Sequence, residues 1–347
     1  MERLTEEYSL VGFYTLQAIW KRINMNKLDK YQTLIIFAAM PLGLLLGLLG
    51  PVEQYADNFV TPFLFVMLFG AFLNIPLKDY RKAFTNIRFS TTAVLINFVW
   101  TPLLVWLLGR LFLTGSPILQ IGFIMLMVTP CTDWYLIFTG MAKGNVALSA
   151  TVLPVNLVLQ VVLLPVYLLI FGGTTGTINI QEVLFSVAIM LILPFTLAQI
   201  GKFLINKIGD DAKRGKVFRL FGSLQTLLLA MAIMAMFASK GRSLLGSLGI
   251  LAVLLIPIIL FYVINFILAQ VAGKGFHYSY EDTASLTLTT IAKNSPMTLG
   301  VALMAFPNEP LIHLIMVIEP LVELPAMMLI TKILLRVRQK SVKASRS

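Results

Sequence analysis

Residues 128–135 read Val-Thr-Pro-Cys-Thr-Asp-Trp-Tyr and lie in the middle of a hydrophobic segment that runs from about residue 119 to residue 141. A proline, the only cysteine of the chain, a threonine and an aspartate therefore fall where a simple lipid-embedded helix would be apolar. Polar and ionisable side chains are costly inside a bilayer, and those found there usually mark a functional site. We expect the helix to be interrupted at Pro130 and the side chains beside the interruption to serve the function of the protein.

The composition is that of a polytopic membrane protein. Of its 347 residues, 58% are hydrophobic and 12% are charged, and the mean hydropathy is +0.87, whereas a soluble domain has about 25% charged residues. One cysteine excludes an internal disulfide and a multi-cysteine metal site. The net charge of +11 fits basic loops beside anionic lipid better than it fits nucleic acid.

Ten hydrophobic segments are long enough to cross a bilayer as helices of roughly 20 residues. They are residues 31–50, 59–77, 91–113, 119–141, 147–171, 182–205, 217–238, 246–272, 283–306 and 310–335. Nearly all of the 27 Lys and Arg residues fall on one side of this arrangement, which predicts that both termini are cytoplasmic. Residues 1–30 form a cytoplasmic N-terminal segment in this interpretation, with an interfacial helix as one reading of it, and residues 336–347 form a basic cytoplasmic tail.

The ninth segment is interrupted as the fourth is, by Lys-Asn-Ser-Pro at residues 293–296. The interruptions thus occupy the fourth place in two groups of five segments, 31–171 and 172–335. Five is an odd number, so the two groups have opposite orientations, which is the inverted-repeat arrangement of many secondary transporters with broken helices at the substrate site. The fold class expected is therefore an all-α polytopic membrane protein with two inverted five-helix repeats.

Asp133 and Lys293 are the charges closest to the membrane centre in the two interrupted segments. They form either a buried salt bridge that fixes the crossing of the helices or part of a coupling mechanism. A fixed ammonium group at Lys293 can take the place of a bound sodium ion. The residues therefore favour a proton-coupled or uncoupled carrier over a sodium-coupled one.

Two carboxyl groups lie in the last segment, where residues 319–325 read Glu-Pro-Leu-Val-Glu-Leu-Pro. Glu319 and Glu323 are four residues apart and share a helix face. A carboxyl group in an apolar site exchanges its proton easily enough to suit a proton carrier. The alternative is structural: Glu319 as a polar residue facing a crevice between helices, and Glu323 as a buried packing residue.

Uncharged polar residues at membrane depth are candidates for contact with a solute, namely Thr132, Asn156, Gln160 and Asn294. They can hold unwound backbone or a polar solute, or they can form hydrogen bonds between helices. No Gly-x-x-x-x-Gly-Lys or His-Glu-x-x-His pattern occurs. We therefore expect neither an ATPase pump nor a metalloprotease, and no enzyme activity or cofactor.

Five stretches of the chain resemble the bile acid:sodium symporter superfamily and, within it, the arsenite permease branch of Acr type. They are residues 130–133 (Pro-Cys-Thr-Asp), 142–149 (Ala-Lys-Gly-Asn-Val-Ala-Leu-Ser), 153–156 (Leu-Pro-Val-Asn), 293–296 and 319–325. The resemblance covers about residues 31–335. It implies a panel domain of spans one, two, six and seven, a core domain of the other six, and a crossing of broken spans four and nine.

The resemblance also implies roles for individual residues. In the permease branch a span-four cysteine and a span-ten glutamate are required, and by motif these are Cys131 and Glu323. The positions of the sodium ligands in the sodium-coupled branch are occupied here by Thr289, Lys293, Tyr135 and Leu136. The resemblance therefore implies that neither sodium site is retained. This agrees with the expectation from Lys293 that the carrier is not coupled to sodium.

The sequence thus predicts a proton antiporter that exports arsenite, or antimonite, across the plasma or inner membrane. Cys131, Thr132, Asn156 and Asn294 would contact the substrate, Cys131 being the metalloid ligand. Asp133 departs from the permease pattern, which leaves open a carrier of organic anions or other small metabolites with the same fold. A membrane sensor that transports nothing is a third reading, and the oligomeric state is left undetermined.

Overall fold

The computed structural model describes residues 32–74, 86–132, 134–172, 179–207, 211–245 and 248–344. The predicted N-terminal segment 1–30 and Asp133 lie outside these residues. Within them the protein is all-helical, with twelve helices and no strand longer than an isolated bridge.

The helices are numbered α1 to α12 in chain order. The first six are α1 (Gln32–Leu46), α2 (Gly50–Asn74), α3 (Ile87–Phe112), α4 (Pro117–Met127), α5 (Trp134–Met141) and α6 (Val146–Tyr167, extended by a π-helical turn at Leu168–Gly172). The other six are α7 (Ile180–Val187 and Leu193–Asn206, joined by a π-helical turn), α8 (Asp211–Leu245), α9 (Leu248–Gly275), α10 (Tyr280–Ile291), α11 (Ser295–Ala305) and α12 (Pro310–Ala344).

Both interruptions expected from the sequence are present. The first separates α4 from α5, because Pro130 has no amide hydrogen to continue the helix. The second separates α10 from α11, where Ala292 adopts extended backbone angles and Asn294 caps the N-terminus of α11 with its side chain.

Seven of the described helices are long and apolar enough to cross a membrane: α2, α3, α6, α7, α8, α9 and α12. Their outer faces carry large exposed apolar side chains, such as Phe59, Leu111, Phe203 and Val271. Exposure of such an apolar surface to water is unfavourable, whereas its exposure to lipid is not. The chain is therefore a multi-pass membrane protein.

Helix α8 lies along both α1 and α2, and α2 also packs on α7. The contact between α1 and α8 depends on Gly43 and Gly47, spaced one helical turn apart. A Cβ atom at Gly43 would collide with the main-chain carbonyl of Met234, and one at Gly47 with that of Ala238. Small residues at this spacing allow membrane helices to approach closely.

The other helices surround the two interruptions. Helix α10 packs on α9, α5 and α6, while α12 packs on α4 and α11. A cluster of apolar side chains, including Ile96, Val152, Ala269 and Leu286, joins α3, α6, α9 and α10. Helix α11 also contacts α2 and α7. The helices around the interruptions are therefore joined to α2 and α7 through α11.

Candidate functional site

The two interruptions cross and bind each other through their main chains. Pro130 and Lys293 form an antiparallel bridge. The amide of Cys131 donates to the carbonyl of Ala292 at 3.0 Å, and the amide of Asn294 donates to the carbonyl of Thr129 at 3.0 Å. Main-chain groups inside a membrane protein must find partners within the protein. Each interruption therefore supplies main-chain partners that the other broken helix lacks.

Side chains reinforce this crossing. The Asn294 amide nitrogen donates to Thr132 Oγ1 at 3.2 Å, while its Oδ1 accepts from the amide of Met297 in the first turn of α11. The hydroxyls of Thr129 and Thr298 lie 2.8 Å apart. Two residues predicted to contact substrate, Thr132 and Asn294, are thus brought together, and both are buried.

Glu323 reaches the crossing from α12. Its Oε1 accepts a hydrogen bond from the main-chain amide of Lys293 at 2.7 Å. Cys131 and Glu323 therefore bind consecutive residues of the same unwound segment, Ala292 and Lys293. The contact of Cys131 is made by its main-chain amide and that of Glu323 by its carboxyl group, and both side chains are buried.

The Lys293 side chain is also buried. Its ammonium nitrogen donates to the carbonyl of Thr290 at 3.4 Å and lies 4.7 Å from the centre of the Phe261 ring on α9. A cation over an aromatic face is stabilised by the ring quadrupole. The predicted pairing with Asp133 falls outside the described residues and stays a prediction.

Glu319 lies one helical turn before Glu323 and is fully buried. The Tyr262 hydroxyl on α9 donates to its Oε1 at 3.0 Å. Phe261 and Tyr262, neighbours in sequence, thus contact Lys293 and Glu319 respectively. Neither aromatic residue was predicted as part of the site, because both lie in an apolar run where an aromatic side chain is ordinary.

Asn156, the fourth residue predicted to contact substrate, is hydrogen-bonded away from the crossing. Its Oδ1 accepts from Asn97 Nδ2 of α3 at 3.4 Å. Asn97 was not among the predicted residues, although a lone amide in the apolar segment 91–113 is a signal that could have identified it.

Comparison with known proteins decides the family. The sequence pattern of the family described as "Sodium Bile acid symporter family" matches residues 61–247, which is more than half of the chain. The chain belongs to this family.

Three curated relatives align over most of the chain. The "Arsenical-resistance protein Acr3" of Corynebacterium glutamicum is 23% identical over 327 residues, 88% of each chain. An uncharacterized transporter of Synechocystis sp. is 24% identical over 341 residues, 89% of this chain and 88% of the relative. The uncharacterized protein YbaS of Bacillus subtilis is 22% identical over 273 residues, 78% of this chain and 87% of the relative.

The resemblance described in the sequence analysis places the sodium ligands of the sodium-coupled branch at Tyr135, Leu136, Thr289 and Lys293. Tyr135 donates its hydroxyl to the carbonyl of Ser149 at 3.0 Å, and Thr289 donates to the Ser149 hydroxyl at 3.4 Å. Leu136 has no oxygen in its side chain, and Lys293 is a cation. No cluster of three or more His, Cys, Asp or Glu that could hold a metal occurs in the described part of the chain.

Proposed function

We propose that this chain is a secondary transporter that exports arsenite, and antimonite, in exchange for protons. The observation that carries the proposal is the crossing itself. Cys131 binds the carbonyl of Ala292 and Glu323 binds the amide of Lys293, so both residues bear on one unwound segment. A metalloid ligand and a proton carrier joined by a short flexible segment are the two parts that an antiporter needs. Membership of a transporter family and the relative "Arsenical-resistance protein Acr3" support it.

Cys131 is the proposed ligand for the substrate. Arsenous acid is largely uncharged at neutral pH, and its soft As(III) centre prefers a soft thiolate ligand. One thiol provides transient binding, which suits transport. Thr132 and Asn294, which are hydrogen-bonded to each other at the crossing, are the proposed hydrogen-bonding partners for the hydroxyl groups there.

Glu323 is the proposed proton carrier, assisted by Glu319. Protonation of Glu323 weakens its hydrogen bond from the Lys293 amide, because a neutral acceptor binds a donor less strongly than a carboxylate does. The strength of the contact between α12 and the unwound segment then depends on whether Glu323 carries a proton. Lys293 replaces the charge of a coupling cation, which makes transport independent of sodium.

The proposed architecture has ten spans in two inverted repeats, residues 31–171 and 172–335. The broken pairs α4–α5 and α10–α11 count as spans four and nine. The packing of α8 on α1 and α2, and of α7 on α2, supports a panel domain of these four helices, and the helices around the crossing form the core domain. Rocking of the core against the panel would expose the crossing to each side in turn.

The proposed orientation has both termini in the cytoplasm of a plasma or inner membrane. Lys240 and Asp57, which the charge distribution assigns to the outer side, lie 3.4 Å apart. On the other side, the loop at Asn145 binds the start of α10 through Asp282 at 2.9 Å. Residues assigned to one side thus meet each other, which supports the assignment.

A second candidate function is the transport of an organic anion. The buried ammonium of Lys293 supports it. An anionic group of a substrate would be a suitable partner.

Flux measurements with purified protein in liposomes test these proposals. Arsenite uptake driven by an imposed proton gradient is measured with sodium or choline as the main cation. We expect equal uptake in both and no inhibition by excess organic anions. Sodium dependence would contradict the coupling mechanism. Uptake of an organic anion that arsenite does not inhibit would favour the second candidate function.

A further inference from the structure

Asn97 of α3 and Asn156 of α6 are hydrogen-bonded to each other, and each has a second uncharged polar residue one turn further along its helix. Asn97 and Thr101 lie one turn apart on α3, and Asn156 and Gln160 lie one turn apart on α6. All four are at most 1% exposed. We call these four residues the amide cluster.

Most of the polar atoms of the amide cluster have no partner among the described residues. The one hydrogen bond is that from Asn97 to Asn156 at 3.4 Å, which is long. The atoms without partners are Asn97 Oδ1, Thr101 Oγ1, Asn156 Nδ2 and both Gln160 Nε2 and Gln160 Oε1. Buried polar side chains are hydrogen-bonded in the large majority of native proteins. Several such atoms in one place indicate that the cluster binds something.

The local backbone directs these side chains inward. Asn97 lies in the π-helical turn Ile96–Trp100, and turns of this kind are frequent at functional sites. The main-chain carbonyl of Phe98 in this turn accepts from the Tyr167 hydroxyl at 2.6 Å. Tyr167 therefore satisfies the disturbed backbone, while the side chains of the amide cluster retain their unused hydrogen-bonding capacity.

The chemistry of the amide cluster selects an uncharged ligand. Each amide offers a donor and an acceptor, whichever way it is turned, and Thr101 offers both. Amide oxygens can coordinate a cation and amide hydrogens can bind an anion, but none of the four residues carries a charge that would compensate for an ion inside a membrane. Asn265 of α9, also fully buried and without partners for either amide atom among the described residues, lies on a helix that packs along the second half of α3.

We propose that the amide cluster is a binding site for small uncharged hydroxylated molecules, separate from the crossing. Water and arsenous acid share this chemistry, since both donate and accept hydrogen bonds without net charge. The second of these occupants rests on the proposed function, whereas the first does not. For arsenous acid the cluster would be a second subsite that binds through hydroxyl groups alone, without a thiol.

The sign of a stability change tests the site. The melting temperature of the full-length protein in lipid nanodiscs is compared with that of Gln160→Met, which replaces the amide by an apolar group of similar length. Loss of partners for a bound molecule lowers the melting temperature, and we expect a decrease of about 3 °C or more. Removal of polar atoms that bind nothing would raise it instead. An unchanged or raised melting temperature would overturn the proposal.

A matched pair of smaller substitutions tests the site independently, in case Gln160→Met does not fold. Thr101→Val removes a hydroxyl without a partner in the described chain, and Thr139→Val removes one that donates to its own helix at 2.7 Å. Both threonines are fully buried. We expect Thr101→Val to lower the melting temperature more than Thr139→Val does, and the reverse order would contradict the site.

Titration with arsenous acid identifies the occupant. The probe is added to Cys131→Ser protein, in which the thiol is absent. A rise in melting temperature with concentration, abolished by Gln160→Met, assigns the site to the solute. A melting temperature that Gln160→Met lowers but that arsenous acid leaves unchanged assigns it to water. Neither result depends on arsenite flux, so failure of the proposed function and failure of the site are distinguishable.

Discussion

Around the crossing, the interruptions at Cys131 and Lys293 exchange main-chain hydrogen bonds, whereas α1 and α8 meet through the glycines at positions 43 and 47. The first contact is polar and buried, and carboxyl, ammonium, thiol and amide groups surround it. The second is a close contact of helix backbones. The chemically versatile side chains are therefore concentrated in one group of helices, and the other group provides a surface against which the first can pack.

The difference lies in what each contact can change. A hydrogen bond to a carboxylate alters in strength when the carboxylate binds a proton, while a contact between a glycine and a carbonyl does not respond to any solute. We therefore expect substitutions at the crossing to alter transport with little loss of stability. Substitutions at the α1–α8 contact should do the opposite.

The largest effect on transport is expected for Glu323→Gln. Glutamine keeps an oxygen that can accept from the Lys293 amide, so the fold should be retained, but it cannot carry a proton. Flux driven by a proton gradient should fall to that of protein-free liposomes, with the melting temperature little changed. Glu182→Gln, at an exposed carboxyl group on α7, is the matched control and should transport normally. Undiminished gradient-driven flux in Glu323→Gln would remove Glu323 from the mechanism.

The largest effect on stability is expected for Gly43→Leu. Its side chain would collide with the carbonyl of Met234, which cannot move without displacing α8. Overpacking of this kind costs about 3 kcal/mol, which thermal unfolding in nanodiscs can measure. Gly50→Leu is the control, because nothing lies within 4 Å of a Cβ atom at Gly50. Equal stability of the two variants would show that α1 and α8 do not depend on close contact.

An intermediate effect is expected for Asn294→Ala, which removes the cap of α11 and the bond to Thr132. Loss of a helix cap costs about 1 kcal/mol. Asn86→Ala removes the cap of α3, where Asn86 Oδ1 accepts from the amide of Phe89 at 3.1 Å. The two variants should lose similar stability, but only Asn294→Ala should reduce arsenite flux. Parallel losses of flux in both would indicate that Asn294 acts through stability alone.

The smallest effect is expected for Lys240→Ala, which breaks the ion pair between α8 and Asp57 of α2. Partly exposed pairs contribute about 0.2–1 kcal/mol, less at high salt. Arg338→Ala, which breaks a pair with Glu281 at 3.3 Å, should behave in the same way. Comparison of unfolding at low and high salt measures both, and a loss beyond this range that salt does not reduce would indicate another role for Lys240.

The interruptions were predictable from the sequence because a proline inside an apolar segment has a direct consequence for helix hydrogen bonding. Pro130 and the 293–296 stretch identified both breaks, and spacing alone placed Glu319 and Glu323 on one face. The main-chain partner of Glu323 was not predictable. It depends on how α12 packs against the second break, and no local pattern records such a contact.

Other features escaped prediction for a related reason. Tyr262 is one aromatic residue among many until α9 is placed beside α12, and the π-helical turn around Asn97 leaves no mark in the composition. Asn156 was expected among the substrate contacts because of its depth in the membrane. The structure gives it a partner on α3 instead, and its role as a substrate contact stays a prediction.

Arsenite efflux by Cys131→Ser protein tests the central proposal most directly. Serine keeps the size of the side chain and leaves the main-chain bond from residue 131 to Ala292 available, so the crossing should fold as before. Everted membrane vesicles with wild-type or variant protein are loaded by an imposed proton gradient, and the arsenite they accumulate is measured. The account predicts that Cys131→Ser vesicles accumulate no more arsenite than vesicles without the protein. Accumulation equal to that of wild type, at equal amounts of folded protein, would contradict it.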